Sequence, residues 1–441
     1  MTPTVLRARS ARPLAGLLAA LAVSLTGTRV SAVALPWFVL VTTGSTTQTG
    51  LVAFCEMTPY VLVKAFTGPL VDRAGPRVVS WSTDCVSATA AALVPLLHVL
   101  DVLSLWLLLV LVAVIGAARG PGDLAKEVMV PEAAERGGVR LERATGYSGV
   151  TERLAATVGP AAGGALVALL GPMAGLVVNA VCFALGSLII AVVLPRGMGR
   201  AVPAGAGEAG TGEAGAGEAA GAMAGVAAPG YWRRFGEGFA FLRGDRLLLA
   251  IILMICVTNM LAAGFTTVLL PVWAQESGRG PAAMGLAVGV SGVFAVLASL
   301  TAAAVAHRMR RRPVFFAAFL LAGAPRFLIL ATDAPMWAVL AVFALDGIGA
   351  GFLNPILGAV IFERVPRRLL GRVQALGDSL AWSGIPFGGL VAGAAVASVG
   401  LAPALVLGGA VYFLTTNLTG LRPEWREMDR LRGRGGRGRS G

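Results

Sequence analysis

Arg29, Glu56, Arg326 and Asp346 each stand inside a long run of apolar residues. A charge at the centre of a bilayer costs on the order of 3 kcal/mol to insert, so one that persists there has a partner or a task. The residue types suit proton chemistry. Desolvation and a neighbouring guanidinium pull the proton affinity of a carboxyl group in opposite directions, so a change in surroundings can load or release a proton. Glu56 lies about eight residues into its run and Arg29 near the middle of the preceding one, a depth difference of ~7.5 Å at the rise of a helix. Glu56 is therefore expected to be a protonation site with Arg29 as its neighbour; the alternative is a static ion pair. Asp346, within the small residues of Leu345 to Gly351 that could open a cavity, is the second candidate; the alternative is a static pair with Arg326. Asp84, Arg119, Asp123, Glu152, Arg153 and Asp378 lie nearer one end of their runs, and Asp378, Glu152 and Arg153 read as a charge network at that face. Trp37, Phe38, Tyr60, Asn259 and Trp382 are candidates for the wall of a cavity holding an amphipathic molecule.

The elements that position these groups follow from composition. The chain has 441 residues, 56% hydrophobic and 13% charged, with a mean hydropathy of +0.78; soluble domains carry about 25% charged residues. It is read as a membrane protein. A span needs about 20 apolar residues, and twelve candidates run at about 14–42, 49–70, 78–98, 103–124, 148–169, 173–194, 247–273, 282–306, 313–332, 336–360, 373–396 and 402–420. Thirty of the 36 Lys and Arg residues fall in every second gap between them. That alternation is expected when the arginine-rich loops stay in the cytoplasm, and an even number of spans then places both termini there, in a plasma or inner membrane. The net charge of +13 is divided among short loops, which fits anionic lipid as the partner and not nucleic acid. The N-terminal apolar run continues past the length of a signal peptide and reads as an uncleaved first helix.

Several chemistries are excluded. The four cysteines are far apart and show no metal or disulfide spacing. His98 and His307 fall at opposite faces, and neither lysine follows a glycine-rich phosphate loop. No cofactor, metal or catalytic constellation is expected, so the chain is not read as an enzyme.

Residues 195–246 separate spans six and seven and include a Gly/Ala/Glu tract too poor in large apolar groups to fold. Gly205 to Gly210 within it is a formal GxGxxG, but no strand precedes it, so it carries no dinucleotide reading. The following Tyr231 to Arg246 mixes aromatics with arginines, as a helix lying in the membrane interface does. The expected organisation is 1–194, a six-helix half; 195–246, a cytoplasmic linker; 247–420, a second six-helix half; and 421–441, a basic tail. Echoes between the halves suggest duplication: Val130-Pro131-Glu132 with Val365-Pro366-Arg367, and Pro160-Ala161-Ala162-Gly163 with Pro386-Phe387-Gly388-Gly389. Two related halves around a midplane site form a transporter architecture.

Gly68-Pro69-Leu70-Val71-Asp72-Arg73-Ala74-Gly75-Pro76-Arg77, between spans two and three, resembles the GxxxDRxGxR loop of the major facilitator superfamily. Its counterpart, His307 to Arg312, keeps the positive charge and lacks the acid. Gly159-Pro160-Ala161-Ala162-Gly163-Gly164 in span five is similar to the GxxxGPxxGG signature of the proton-coupled exporters of that family, with Ala155 for the first glycine. Ala34 to Trp37, Thr43 to Ser45, Glu237 to Arg243 and Leu270-Pro271 resemble its macrolide-efflux and siderophore-exporter branch. The resemblance implies a latch in which Asp72 meets the N-terminus of span eleven near Gly371, and Arg73 and Arg77 hold Asp123 or lipid phosphate. It also implies a bend or gate at Gly159-Pro160, with Gly163 and Gly164 allowing close packing. Arg119 stands where the family often keeps a span-four arginine, but Gly122 follows at a different spacing.

The expectation is an all-α membrane protein of twelve helices, a monomer, exporting a small amphipathic molecule in exchange for protons. Uptake of a nutrient with protons, and a non-transporting sensor on the same fold, are the alternatives.

Overall fold

In the computed structural model, residues 10–196, 198, 239–305, 311–365 and 370–418 are described. All their regular structure is helical, with no strand among the described residues. In chain order the spans are one, Arg12–Thr43; two, Thr46–Phe66; three, Pro76–Val99; four, Leu105–Gly137; five, Leu141–Leu170; and six, Pro172–Val193. A short helix, Gly68–Ala74, joins spans two and three. Span seven is Arg246–Glu276 and contains a π-helical segment, Phe265–Leu269. Span eight is Gly280–Val305, and span nine has two pieces, Arg311–Leu321 and Ala324–Leu330. Span ten is Met336–Arg364. Span eleven is Leu370–Trp382 and Ile385–Val399, and span twelve starts at Leu401–Phe413 and runs on as a π-helix to Leu418.

Among the described residues, eleven helices are long and apolar enough to cross a membrane, and Leu401–Asn417 is a shorter apolar twelfth. Local chemistry sets their ends. Ser45, Ser104 and Asp245 accept hydrogen bonds from Gln48, Leu107 and Leu248 N–H groups, satisfying donors that the first turn leaves free. Gly44, at φ 62°, ends span one in the left-handed conformation that glycine adopts without penalty. Span nine breaks at Ala322 and Gly323, where the Tyr412 ring fills the space a side chain at Gly323 would need. Span eleven breaks at Ser383 and Gly384, two residues before Pro386. Span four runs past its expected end near 124, through Lys126 to Gly137.

The glycine-rich tract at 205–210, the aromatic-arginine residues 231–238, the loop from His307 to Arg310, Pro366 and Arg367, and the tail at 421–441 lie outside the described residues. Residues 239–244 are helical up to Asp245, which caps span seven.

Spans one to six pack mainly on one another, and so do spans seven to twelve. Spans two and four approach closely: a Cβ at Gly116 would strike the Glu56 carbonyl, and one at Gly120 would lie 3.0 Å from the Tyr60 carbonyl. In the second half Gly347 meets Ser291 and Gly351 meets Ala295 in the same way between spans ten and eight. Glu56 and Ser291 are thus equivalent positions. The echo in spans five and eleven is offset by one residue from the alignment of prolines. Gly163 packs on span one and Gly388 on span seven, while Gly164 meets span eight and Gly389 meets span two. Gly163 therefore pairs with Gly388, and Pro160 and Pro386 are not equivalents.

The halves meet away from the arginine-rich loops. Spans five and eight touch where a Cβ on Gly164 would lie 2.6 Å from the Pro281 carbonyl, and spans two and eleven touch at Gly50 and Gly389. Thr46 Oγ1 donates to the Gly393 carbonyl across the same seam at 3.1 Å.

Candidate functional site

Toward the arginine-rich face the halves part around a cavity of about 670 Å³. It is built by spans one, two, four, five and eleven. Leu21 and Leu25 of span one and Met57 of span two supply apolar wall, and Tyr60 and Trp382 supply aromatic wall. Such a mixture, mostly apolar with a few polar groups fixing orientation, is what a site for a small amphipathic molecule presents. The two rings come from opposite halves and stack with centroids 6.4 Å apart.

The charges on and beside this wall come from helical spacing. Arg119, Asp123 and Glu127 succeed one another at four-residue intervals on span four, and Glu56, Tyr60 and Lys64 do so on span two, so the two stripes face each other rung by rung. On the first rung Arg119 Nη1 lies 3.1 Å from Glu56 Oε1, with side chains 12% and 19% exposed. On the second, Tyr60 donates to Asp123 at 3.3 Å, and Arg119 Nε is 3.8 Å from the same carboxylate. On the third, Lys64 pairs with Glu127 at 3.3 Å. The Arg119 guanidinium also lies over the Tyr60 ring at 4.3 Å, and Lys64 lies over Trp382 at 5.3 Å. One guanidinium is thus shared between two carboxylates and an aromatic face.

The expected pairing of Glu56 with Arg29 is not the one that forms. Spans two and four pack with glycines between them, which brings Arg119 to Glu56. Arg29 instead faces the cavity from span one and makes no ion pair within 4.0 Å of any described residue. Its stem packs against Gly159, where a Cβ would overlap it.

Beside the cavity, Lys126 Nζ and Asp84 Oδ1 form an ion pair at 2.8 Å with side chains only 1% and 2% exposed. Lys126 forms part of the cavity wall. The sequence hides this pair because the apolar run of span four ends before Lys126 while the helix continues to Gly137; the signal it carries is the three- and four-residue spacing beyond that run.

In the second half, Arg326 is 3.4 Å from Asp346, and Ser291 donates to Asp346 at 2.7 Å. Arg326 also lies over the Phe265 ring at 4.8 Å. This group sits apart from the cavity, and Asp346 is buried at 6% exposure. Asn259 donates to the Ala381 carbonyl and ties span seven to span eleven, while Phe38 is in the core of the first half.

The loop motif takes a definite backbone shape. Gly68 starts the short helix and Gly75, at φ 87°, ends it and leads into span three. Arg73 is exposed, and Arg77 donates from Nε to the Leu194 carbonyl at 2.9 Å. Asp123 is held by Tyr60 and Arg119, so the expected contact with Arg73 or Arg77 does not form here. The side chains of Asp72 and of the first residues of span eleven lie outside what is described. Span five is one helix with Pro160 inside it, and Gly159, Gly163 and Gly164 are its close-packing surfaces toward spans one and eight.

Comparisons with known proteins agree with this architecture. The multidrug efflux pump Tap of Mycobacterium tuberculosis is 31% identical over 408 residues, covering 91% of each chain. Tap of Mycolicibacterium fortuitum is 29% identical, covering 91% of this chain and 94% of its own. Among solved structures, the nucleoside transporter NupG superposes with a TM-score of 0.69 at 15% identity, covering 93% of this chain and 98% of its own. A POT family transporter in complex with 5-aminolevulinic acid gives 0.67 at 14%, covering 92% and 95%. The family model for the Major Facilitator Superfamily matches residues 17–278 and 254–424, two overlapping regions that together cover nearly the whole chain. With eleven membrane-length apolar helices and a shorter twelfth among the described residues, parted around a cavity, this chain belongs to the major facilitator superfamily.

Proposed function

We propose that this multi-pass membrane protein is a secondary transporter that exports a small amphipathic compound from the cytoplasm in exchange for protons. The observation that carries this reading is the Glu56–Arg119 pair above a cavity running to the arginine-rich face. By the positive-inside rule that face and both termini are cytoplasmic in the cell membrane, so the conformation is the one in which an exporter loads. Its relatives bearing the name multidrug efflux pump support the same direction.

The coupling follows from the shared guanidinium. With Glu56 ionised, Arg119 is held at 3.1 Å from it and 3.8 Å from Asp123. A proton on Glu56 removes one of those attractions and leaves Arg119 to Asp123 and Tyr60. The side chains on spans two and four then rearrange directly above the bound compound. Alternating access closes this cavity and opens the seam at Gly50, Gly164, Gly285 and Gly389 as the two six-helix halves rock as a monomer about the site. Asp346 with Arg326 orders the second half, and the Gly68 to Arg77 loop latches the cytoplasmic face when the opposite side is open.

The test is accumulation of a drug panel in cells expressing wild type and Glu56→Gln, with and without a proton uncoupler. Wild type should lower accumulation of some compounds, and both uncoupler and substitution should abolish that. Accumulation in right-side-out vesicles along an inward proton gradient would favour uptake and overturn the export reading.

A further inference from the structure

Every cationic side chain on the cavity wall is matched to a carboxylate except one. Arg119 is matched to Glu56, Lys64 to Glu127 and Lys126 to Asp84, at 3.1, 3.3 and 2.8 Å. Arg29 has no ion pair within 4.0 Å of any described residue, although it lines the cavity. A guanidinium is always charged and offers a planar fork of donors that fits a carboxylate or phosphate in bidentate fashion. Held half-buried near mid-membrane, and attracted by Glu152 and Asp123 only from beyond ion-pair distance, it gains when an anion meets it directly. Its position is also fixed: the Gly159 backbone lies against its stem, where any larger residue would displace it. The Tyr60 and Trp382 rings stand on the same wall to take an apolar body.

The geometry points to Arg29 as the specificity-determining residue for compounds that carry an acidic group on an aromatic or apolar body. This rests on the cavity being the substrate site, as argued above. The other charge on the wall without an ion pair within 4.0 Å among the described residues is Glu152 of span five, which attracts Arg29 through space and would by itself favour a cationic compound. Arg29 is preferred because its stem is anchored deeper, against Gly159, while Glu152 is within the first part of span five, nearer the arginine-rich face.

The experiment uses the purified full chain in nanodiscs and a matched series: 4-(1-naphthyl)butanoate, its methyl ester, and the corresponding trimethylammonium cation. Binding is measured by titration calorimetry. A charge-assisted hydrogen bond in a desolvated site should favour the acid over the ester by about tenfold or more. Arg29→Gln should bring the acid-to-ester ratio to about one, and Arg29→Lys should keep most of the preference. The inference is overturned if wild type binds the ester as tightly as the acid, if it fails to bind the acid, or if Arg29→Gln retains the ratio. Tighter binding of the cation overturns it too, and assigns recognition to Glu152. If acid binding behaves as expected while cells do not export the compound, the inference stands and the export reading falls.

Discussion

The Asp84–Lys126 pair offers the sharpest energetic prediction. Its side chains are 2% and 1% exposed and its atoms are 2.8 Å apart, so each charge has little water to fall back on. Asp84 Oδ2 is buried with no hydrogen-bond partner, so the carboxylate depends on Lys126 for its compensation. Removing one member of such a pair strands the other and costs about 3–5 kcal/mol, whereas removing both with residues of similar size is close to neutral. Asp84→Asn and Lys126→Met should each destabilise by that amount. The double variant should lie within about 1–2 kcal/mol of wild type, far from the sum of the singles. Equilibrium unfolding of the purified protein by SDS titration in mixed micelles measures all three. Single losses below about 1 kcal/mol, or a double variant equal to the sum, would refute the reasoning that this is a desolvated pair, since additivity is the mark of groups that do not interact.

Gly164→Leu should place a side chain into span eight, where even a Cβ lies 2.6 Å from the Pro281 carbonyl. It should part the halves on that side and shift spin-label distances across the Gly50–Gly389 seam toward longer values. Unchanged distances would show that the seam is not a tight closure. Arg326→Gln leaves Asp346 with only the Ser291 hydroxyl and should destabilise the second half by about 3 kcal/mol, read by the same SDS titration. A loss under 1 kcal/mol would mean the carboxylate is compensated elsewhere.

Much of the fold is legible in the sequence because a bilayer demands long apolar helices, and their number and the alternation of arginines can be counted. The partner of Asp346 is legible as well, since Arg326 is the basic residue of the second half that lies at a suitable depth. The partner of Glu56 is not. Depth along the membrane can be read from one chain, but which non-consecutive helices touch depends on packing, and the glycines at 116 and 120 that bring span four to span two carry no label of their partner. Lys126 was hidden for a different reason: span four stays helical for thirteen residues beyond its expected apolar end at 124, to Gly137. The proline echo misled by one residue because the repeat is kept in backbone approach, at Gly163 and Gly388, and not in the position of the ring.

Coupling between Glu56 and export is the centre of the account. Proteoliposomes holding the purified protein, with an imposed pH gradient and an internal pH dye, report both substrate and proton movement. Wild type should move substrate against its gradient with protons flowing the opposite way, and Glu56→Gln should retain substrate exchange while losing the response to the pH gradient. Transport by Glu56→Gln that is still driven by the pH gradient would contradict the account.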